Sequence, residues 1–413
     1  MTTTVAPPFG ESPVDGPYAW TRLAICVVLS TIGGVGLWST VVVLPAIEAE
    51  FAIDRGDASL PYTVTMLGFA FGGIIMGRLV DRFGIAIPLI LGALSLCVGY
   101  IAASYSDSLW TFLIFQGVFV GALGSSSTFG PLVADVSHWF LKRRGLAVAI
   151  AASGNYLAGV FWSPVLERAI AAYGWREALF WTGVFCVVTM IPLALLLRRR
   201  AEIDQSEVPV SKGGVRREAP ASPAVLQAVL MVAGIACCVA MSMPQVHLVA
   251  YCGDLGYGPA AGAEMLSLML ILGVVSRLLS GVLADKITGL GTLILGSGLQ
   301  CLALLFYLPF DGLMSLYLVS ALFGLSQGGI VPSYALIVRD FFPAREAGNR
   351  IGQVLMATVV GMALGGWMSG EIYDLTGSYQ AAFLNGIAWN LLNMAIAFWL
   401  LIGGRRRNRE AAA

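Results

Sequence analysis

The stretch Met265-Leu-Ser-Leu-Met-Leu-Ile-Leu-Gly-Val-Val-Ser-Arg-Leu-Leu-Ser-Gly-Val-Leu-Ala284 decides how the chain folds, and Arg277 is the one charged residue in it. About 20 predominantly apolar residues are what an α-helix needs to cross the hydrocarbon of a bilayer. Read as such a helix, the stretch places Arg277 many residues from its start and well before the closing Asp285-Lys286 pair, near mid-membrane. Burying a guanidinium there costs about 3 kcal/mol or more, so an intramembrane arginine is first a functional candidate. Its structural alternative is pairing with a neighbouring helix.

The rest of the chain has the same character. With 58% hydrophobic and 12% charged residues among 413, and a mean hydropathy of +0.82, it is too apolar for a soluble globule and reads as a polytopic helical membrane protein. The formal net charge is zero, which argues against nucleic acid as a partner, because binding its backbone needs a basic surface. Forty-nine glycines fit membrane helices that pack through small residues. The cysteines Cys26, Cys97, Cys186, Cys237, Cys238, Cys252 and Cys301 lack metal-ligand spacing and read as small core residues. No cofactor or metal site is expected.

Twelve apolar segments are expected, at roughly 22–47, 58–80, 84–104, 109–135, 145–171, 177–197, 224–251, 263–284, 288–309, 313–338, 348–373 and 380–403. Basic residues set their orientation. With the N-terminus inside, twenty of the 24 lysines and arginines fall on the cytoplasmic side; Arg55, Arg168 and Arg176 fall outside, and Arg277 stays in the membrane. Residues 1 to 14 lack the pattern of a signal peptide and read as a retained cytoplasmic tail. The expected organisation is an N-terminal tail at 1–21, a six-helix bundle at 22–198, a cytoplasmic linker at 199–223, a second bundle at 224–403 and a cytoplasmic tail at 404–413. The cell inner (plasma) membrane and a monomer are the corresponding expectations.

The halves echo each other. Gly77-Arg-Leu-Val-Asp81-Arg82 ends segment 2, and Gly281-Val-Leu-Ala-Asp285-Lys286 ends segment 8, 204 positions later. Parallel six-helix halves place a substrate site at mid-membrane between them. The small residue lets helices approach, and the carboxylate of Asp81 can sit at a neighbouring helix end or pair with a base, holding the cytoplasmic side shut. Placed after the second of twelve segments, this motif resembles the loop signature of the major facilitator superfamily, over residues 15 to 405.

Two further stretches resemble the monocarboxylate transporter family: Asp15-Gly-Pro-Tyr-Ala-Trp20 before segment 1, and Trp139-Phe-Leu-Lys142-Arg143-Arg144-Gly-Leu-Ala147 leading into segment 5. They also have a topological reading, as an interfacial anchor and a positive-inside cluster. The resemblance makes Arg277 the match to the family's helix-8 substrate arginine. It also exposes departures: the animal members' helix-8 aspartate is Gly273 here, and their helix-1 lysine is Trp38. Their proton relay is therefore in question.

Other polar groups are candidates. Segments 4 (Gly121 to Pro131) and 10 (Gly324 to Tyr334) combine small residues with a proline, which permits bending, while hydroxyls re-satisfy freed backbone groups. Tyr334 offers a ring and a hydroxyl to a carboxylate, or is an interfacial tyrosine. His247 and Asp254 are seven apart on one face of segment 7 and are candidates for proton coupling or gating; a buried packing histidine is the alternative. His138, beside the basic cluster, is given no site role.

Arginine keeps its charge and presents a planar fork matched to a carboxylate. Oxalate/formate exchangers, which the chain also resembles, set a helix-11 lysine against the helix-8 arginine to hold a dianion. Segment 11 here has no lysine or arginine from Gly352 to Gly370. One buried cation matches one negative charge, since a dianion would leave uncompensated charge in low dielectric. The expected function is transport of a small monocarboxylate, lactate or pyruvate-like, by alternating access with proton symport. Anion exchange and a non-transporting carboxylate sensor are alternatives. An enzyme is disfavoured by the lack of a nucleophile–base constellation, metal-ligand cluster or phosphate-loop motif.

Overall fold

A computed structural model describes residues 15–140, 143–199 and 221–410, with backbone alone at 285, 344, 345 and 404–410. The tail at 1–14, Lys142, most of the linker, and the side chain of Asp285 lie outside the described residues.

Among the described residues, twelve helices are long and apolar enough to cross a membrane. They are α1 (Pro17–Phe51), α2 (Arg55–Phe83), α3 (Ala86–Ser104), α4 (Leu109–Trp139), α5 (Arg144–Tyr173), α6 (Trp175–Leu196), α7 (Pro223–Asp254), α8 (Pro259–Ala284), α9 (Lys286–Phe306), α10 (Leu313–Phe341), α11 (Glu346–Thr376) and α12 (Tyr379–Gly403). The count matches the apolar segments of the sequence. Several helices run a few residues further than expected, because polar first and last turns continue the hydrogen-bond ladder after hydropathy has fallen.

Within each half, glycines set how closely helices cross. A Cβ on Gly72 of α2 would lie 1.9 Å from the Ala122 carbonyl oxygen of α4, and one on Gly121 would lie 2.6 Å from the Thr65 carbonyl. The second half repeats the device: Gly324 of α10 meets the Met269 carbonyl of α8 at 2.3 Å. Met269 and Gly324 lie 204 and 203 positions after Thr65 and Gly121, so the two crossings correspond. Backbones this close exchange dispersion contacts that no larger residue permits.

Two helices are locally unwound where the sequence shows small residues and proline. Helix α4 passes through a π-helical stretch, Phe115–Gly124, then a 3-10 turn, Ser125–Thr128. The hydroxyls of Ser126, Ser127 and Thr128 donate to carbonyls three or four residues back, and Ser125 donates to the Gly33 carbonyl of α1 at 2.8 Å. This is the hydroxyl repair expected of the segment. Helix α10 breaks at Gly328 and Gly329, between Leu313–Gln327 and Ile330–Phe341.

The halves meet along α2 with α11, α5 with α8, and α1 with α7. At the end carrying Arg55 they are shut. Gly370 of α11 approaches the Arg55 carbonyl at 2.8 Å from its Cβ position, and Gly366 approaches the Tyr62 ring at 2.9 Å. At the opposite end, which carries Pro17 and Pro223, Cβ atoms on Gly77, Gly281, Gly348 and Gly352 would meet nothing within 4 Å, and Asp81 and Arg82 are exposed. The cleft between the halves therefore opens at this terminal end.

These contrasts give a paired expectation. Gly72→Ala should destabilise the protein by about 1–3 kcal/mol through overpacking against backbone, while Gly77→Ala, in an open helical position, should leave thermal unfolding in detergent unchanged or slightly raised. Equal unfolding of both variants would contradict the packing described.

Candidate functional site

Arg277 lies on α8 where that helix faces α5 of the other half. It comes 18 residues after Pro259 and seven before Ala284, or roughly 27 Å and 10 Å along the axis. Its backbone is thus nearer the open end than the sequence suggests, because α8 begins six residues before the apolar stretch. The side chain leans back toward the helix start, as helical side chains do. Its Nη1 donates to the Ala152 carbonyl at 2.7 Å, and the guanidinium stacks 4.3 Å from the Tyr156 ring centroid, both on α5. Its Nε is buried without a hydrogen-bond partner, and among the described residues no carboxylate pairs with it.

A second unused donor stands close by. Gln245 of α7 donates to Oε1 of Gln327 on α10 at 2.5 Å, which fixes the Gln327 amide and leaves its Nε2 without a partner. A Cβ on Gly273, one turn before Arg277, would lie 3.2 Å from that Nε2 and 3.0 Å from Cε2 of Tyr156. Gly328 brings α10 to this place: its Cβ would lie 2.3 Å from the Gly273 carbonyl and 2.5 Å from the Arg277 nitrogen. Trp38 is buried, donates from Nε1 to the Asn155 carbonyl at 2.9 Å, and packs on Gly159. Neither Gly273 nor Trp38 brings a titratable group, and the volume a side chain at Gly273 would need is held by Tyr156 and Gln327.

Tyr334 stands apart in a network internal to the second half. It is fully buried, its hydroxyl donates to Oδ1 of Asn393 at 2.8 Å, and Nδ2 of Asn393 donates to Ser297 at 2.8 Å. That hydroxyl is spoken for in this conformation.

His247 and Asp254 are brought together through Arg55, which the sequence reading had left as one of three outside arginines. Arg55 opens α2 and reaches across to the second half. Its two terminal nitrogens take both oxygens of Asp254 at 2.9 and 3.2 Å, its Nε pairs with Glu48 at 2.6 Å, and its Nη1 also donates to the Tyr379 hydroxyl at 2.7 Å. The guanidinium lies 4.6 Å over the Tyr373 ring. The backbone nitrogens of Arg55 and Gly56 donate to Asp374 at 3.0 and 2.6 Å, so a carboxylate of one half caps a helix of the other.

The Tyr379 hydroxyl continues to Nδ1 of His247 at 3.1 Å, and Nε2 of His247 lies 2.7 Å from the Gly366 carbonyl. A carbonyl only accepts, so Nε2 carries the proton, and Nδ1 accepts from tyrosine. This linked set closes the end opposite the cleft. Sequence reasoning found two of its members by type and spacing; Arg55, Glu48, Asp374 and Tyr379 carried no local signal.

The two signature stretches also meet. Tyr18 packs edge-on to Trp139 and Trp20 to Phe140, each at 5.1 Å between centroids. The Asp15 nitrogen donates to the Trp139 carbonyl at 3.0 Å. Arg22 stacks 4.6 Å over Trp139, pairs with Asp135 at 2.7 Å and donates to the Leu197 carbonyl at 3.1 Å. They fasten the starts and ends of α1, α4 and α6 together. Arg143 and Arg144 are exposed at the start of α5, and Arg144 donates to Ser137 at 3.3 Å. Gly77, Asp81, Arg82 and Gly281 line the open end, where the close approach read from their sequence is not made in this conformation.

Comparisons with known proteins agree with this architecture. A family profile described as Major Facilitator Superfamily matches residues 23–365 and 291–413. Monocarboxylate transporter 13 of Bos taurus is 26% identical over 400 residues, covering 95% of this chain and 91% of that protein. Monocarboxylate transporter 12 of Xenopus laevis is 24% identical over 433 residues, covering 97% and 93%. Among solved structures, a bacterial homolog to the human lysosomal transporter Spinster, in an inward-facing and unoccupied conformation, shares the fold with a TM-score of 0.70 at 13% identity, covering 96% and 98%.

Removing Arg55 should free the closed end. Loss of one partner from a buried ion pair costs about 3–5 kcal/mol; Asp254 and Glu48 keep 32% and 25% of their side-chain exposure, so a smaller cost applies. Arg55→Gln should speed thiol labelling of a Ser59→Cys reporter, which the closed end buries completely. An unchanged labelling rate would deny Arg55 the gating role.

Proposed function

The chain belongs to the major facilitator superfamily, and on that premise we propose that it carries a small monocarboxylate, lactate or pyruvate-like, across the membrane by alternating access with proton symport. It is a multi-pass membrane transporter and not an enzyme. The observation that supports the carboxylate is Arg277: a permanent cation at the interface of the halves, without a carboxylate partner among the described residues, beside a second unused donor on Gln327. Two donors and one positive charge suit one carboxylate, which would take Nε and a terminal nitrogen of the fork. Since α11 adds no cation from Gly352 to Gly370, a dianion would be left half-compensated. Tyr334 contributes in this reading only through a rearrangement that releases its hydroxyl from Asn393.

Coupling is assigned to the closed end. A second proton on His247 would turn Nδ1 from acceptor into donor, facing the Tyr379 hydroxyl that it now accepts from. The Tyr379 hydroxyl would have to stop donating to His247, and a second cation would stand near Arg55, on the far side of the same oxygen. Protonation of Asp254 would remove half of the charge that Arg55 is paired with. Either event loosens one gate while Gly77, Asp81, Arg82, Gly281 and Asp285, with the basic run Lys142 to Arg144, close the other. With the termini cytoplasmic, as the basic residues argue, the structure is the inward-open state.

Uptake of radiolabelled lactate and oxalate by proteoliposomes, with and without a pH gradient, tests the reading. Lactate uptake driven by the gradient is expected; oxalate uptake indifferent to it would sink the proposal, and trans-stimulation without net flux would favour exchange. Arg277→Lys should lose most transport, because an ammonium lacks the fork, and Arg277→Ala should lose most of the lactate-dependent thermal stabilisation. His247→Ala should keep lactate exchange but lose the response to the gradient.

A further inference from the structure

At the open end a cavity of about 540 Å³ lies between the halves, walled by the end of α4, the start of α5 and Arg339 of α10. Its charged lining residues are Arg144 from one half and Arg339 from the other. Both are exposed, and among the described residues neither is ion-paired. Ser137 accepts from Arg144 at 3.3 Å, which aims that guanidinium along the cavity wall. The volume is within the range of small-molecule sites, roughly 300–1,000 Å³.

The cavity is continuous in register with the Arg277 site. Arg144 and Val148 line it, and four residues further along α5, Ala152 accepts the hydrogen bond of Arg277. Residues spaced by four stand on one face of a helix, so this face leads from the mouth to Arg277 in about 12 Å. We propose that the cavity is a second, outer anion station, in which Arg144 and Arg339 hold a small carboxylate on its way to or from Arg277. Identifying the anion as the transported carboxylate rests on the function proposed above; the station itself rests on the cavity and its two arginines. Two cations across a cleft with low-dielectric walls concentrate anions at the mouth. The divided placement matters too: in this open conformation arginines from both halves face one space.

A thiol at Val148 reports on the station. Val148→Cys, in proteoliposomes of zwitterionic lipid so that no anionic headgroup competes, would be labelled with anionic and cationic methanethiosulfonates and read at residue 148 by peptide mass. We expect several-fold faster labelling by the anionic reagent. The preference should vanish in Arg144→Gln/Arg339→Gln and persist in Arg144→Lys/Arg339→Lys, which also shows that the fold tolerates the changes. Lactate should slow labelling, and should still do so when Arg277→Ala is added. No charge preference, or protection that disappears with Arg277→Ala, would overturn a second station. Normal lactate transport by Arg277→Ala would instead overturn the role given to Arg277, whatever the labelling shows.

Discussion

A guanidinium cannot give up its charge, so a helix that carries one into a membrane must supply something negative or strongly dipolar for it to face. At Arg277 the protein supplies the minimum: one carbonyl, one aromatic face and no acid among the described residues. Much of the local packing follows from that economy. Gly328 lets α10 come against the backbone of α8 at the arginine, Gly273 leaves room for Tyr156, and Gln245 holds the Gln327 amide in one orientation. Arg22 and Arg55 show the contrast: each is tied to acids within its own neighbourhood. Of these three arginines, Arg277 is the one left without an acid among the described residues.

The closed end is built on the opposite logic. There, the donors of Arg55 and of the first turn of α2 are matched to three carboxylates and the Tyr379 hydroxyl, with the Tyr373 ring stacked on the guanidinium. Matching makes the closure specific, and partial exposure keeps its energy modest enough to be broken in a transport cycle. His247 sits at the inner edge of this cluster, where its hydrogen bonds report on whether the cluster is assembled.

What the sequence discloses and what it hides follow from the range of each signal. Crossing a bilayer imposes a local rule on about 20 consecutive residues, so the twelve helices could be read directly, as could Arg277, whose cost is local too. The hydroxyls of Ser125 to Thr128 and the glycine pair at Gly328 are likewise local and were legible as places where a helix bends. The Arg55 cluster joins positions 48, 55, 254, 374 and 379, which nothing in the linear order connects. Arg55 thus looked like a stray outside charge. Tyr334 had the right chemistry for a ligand, but whether a hydroxyl is free depends on Asn393, another helix away.

Gly273 shapes the site from the side of α8. Tyr156 from one half and Gln327 from another helix both close on the space where a side chain at 273 would stand, at 3.0 and 3.2 Å from the first carbon alone. An acidic side chain placed there would need the Tyr156 ring and the Gln327 amide to shift by a few tenths of an ångström. The three residues that set this packing thus also border the two unused donors, so a change at any of them moves the donors' surroundings.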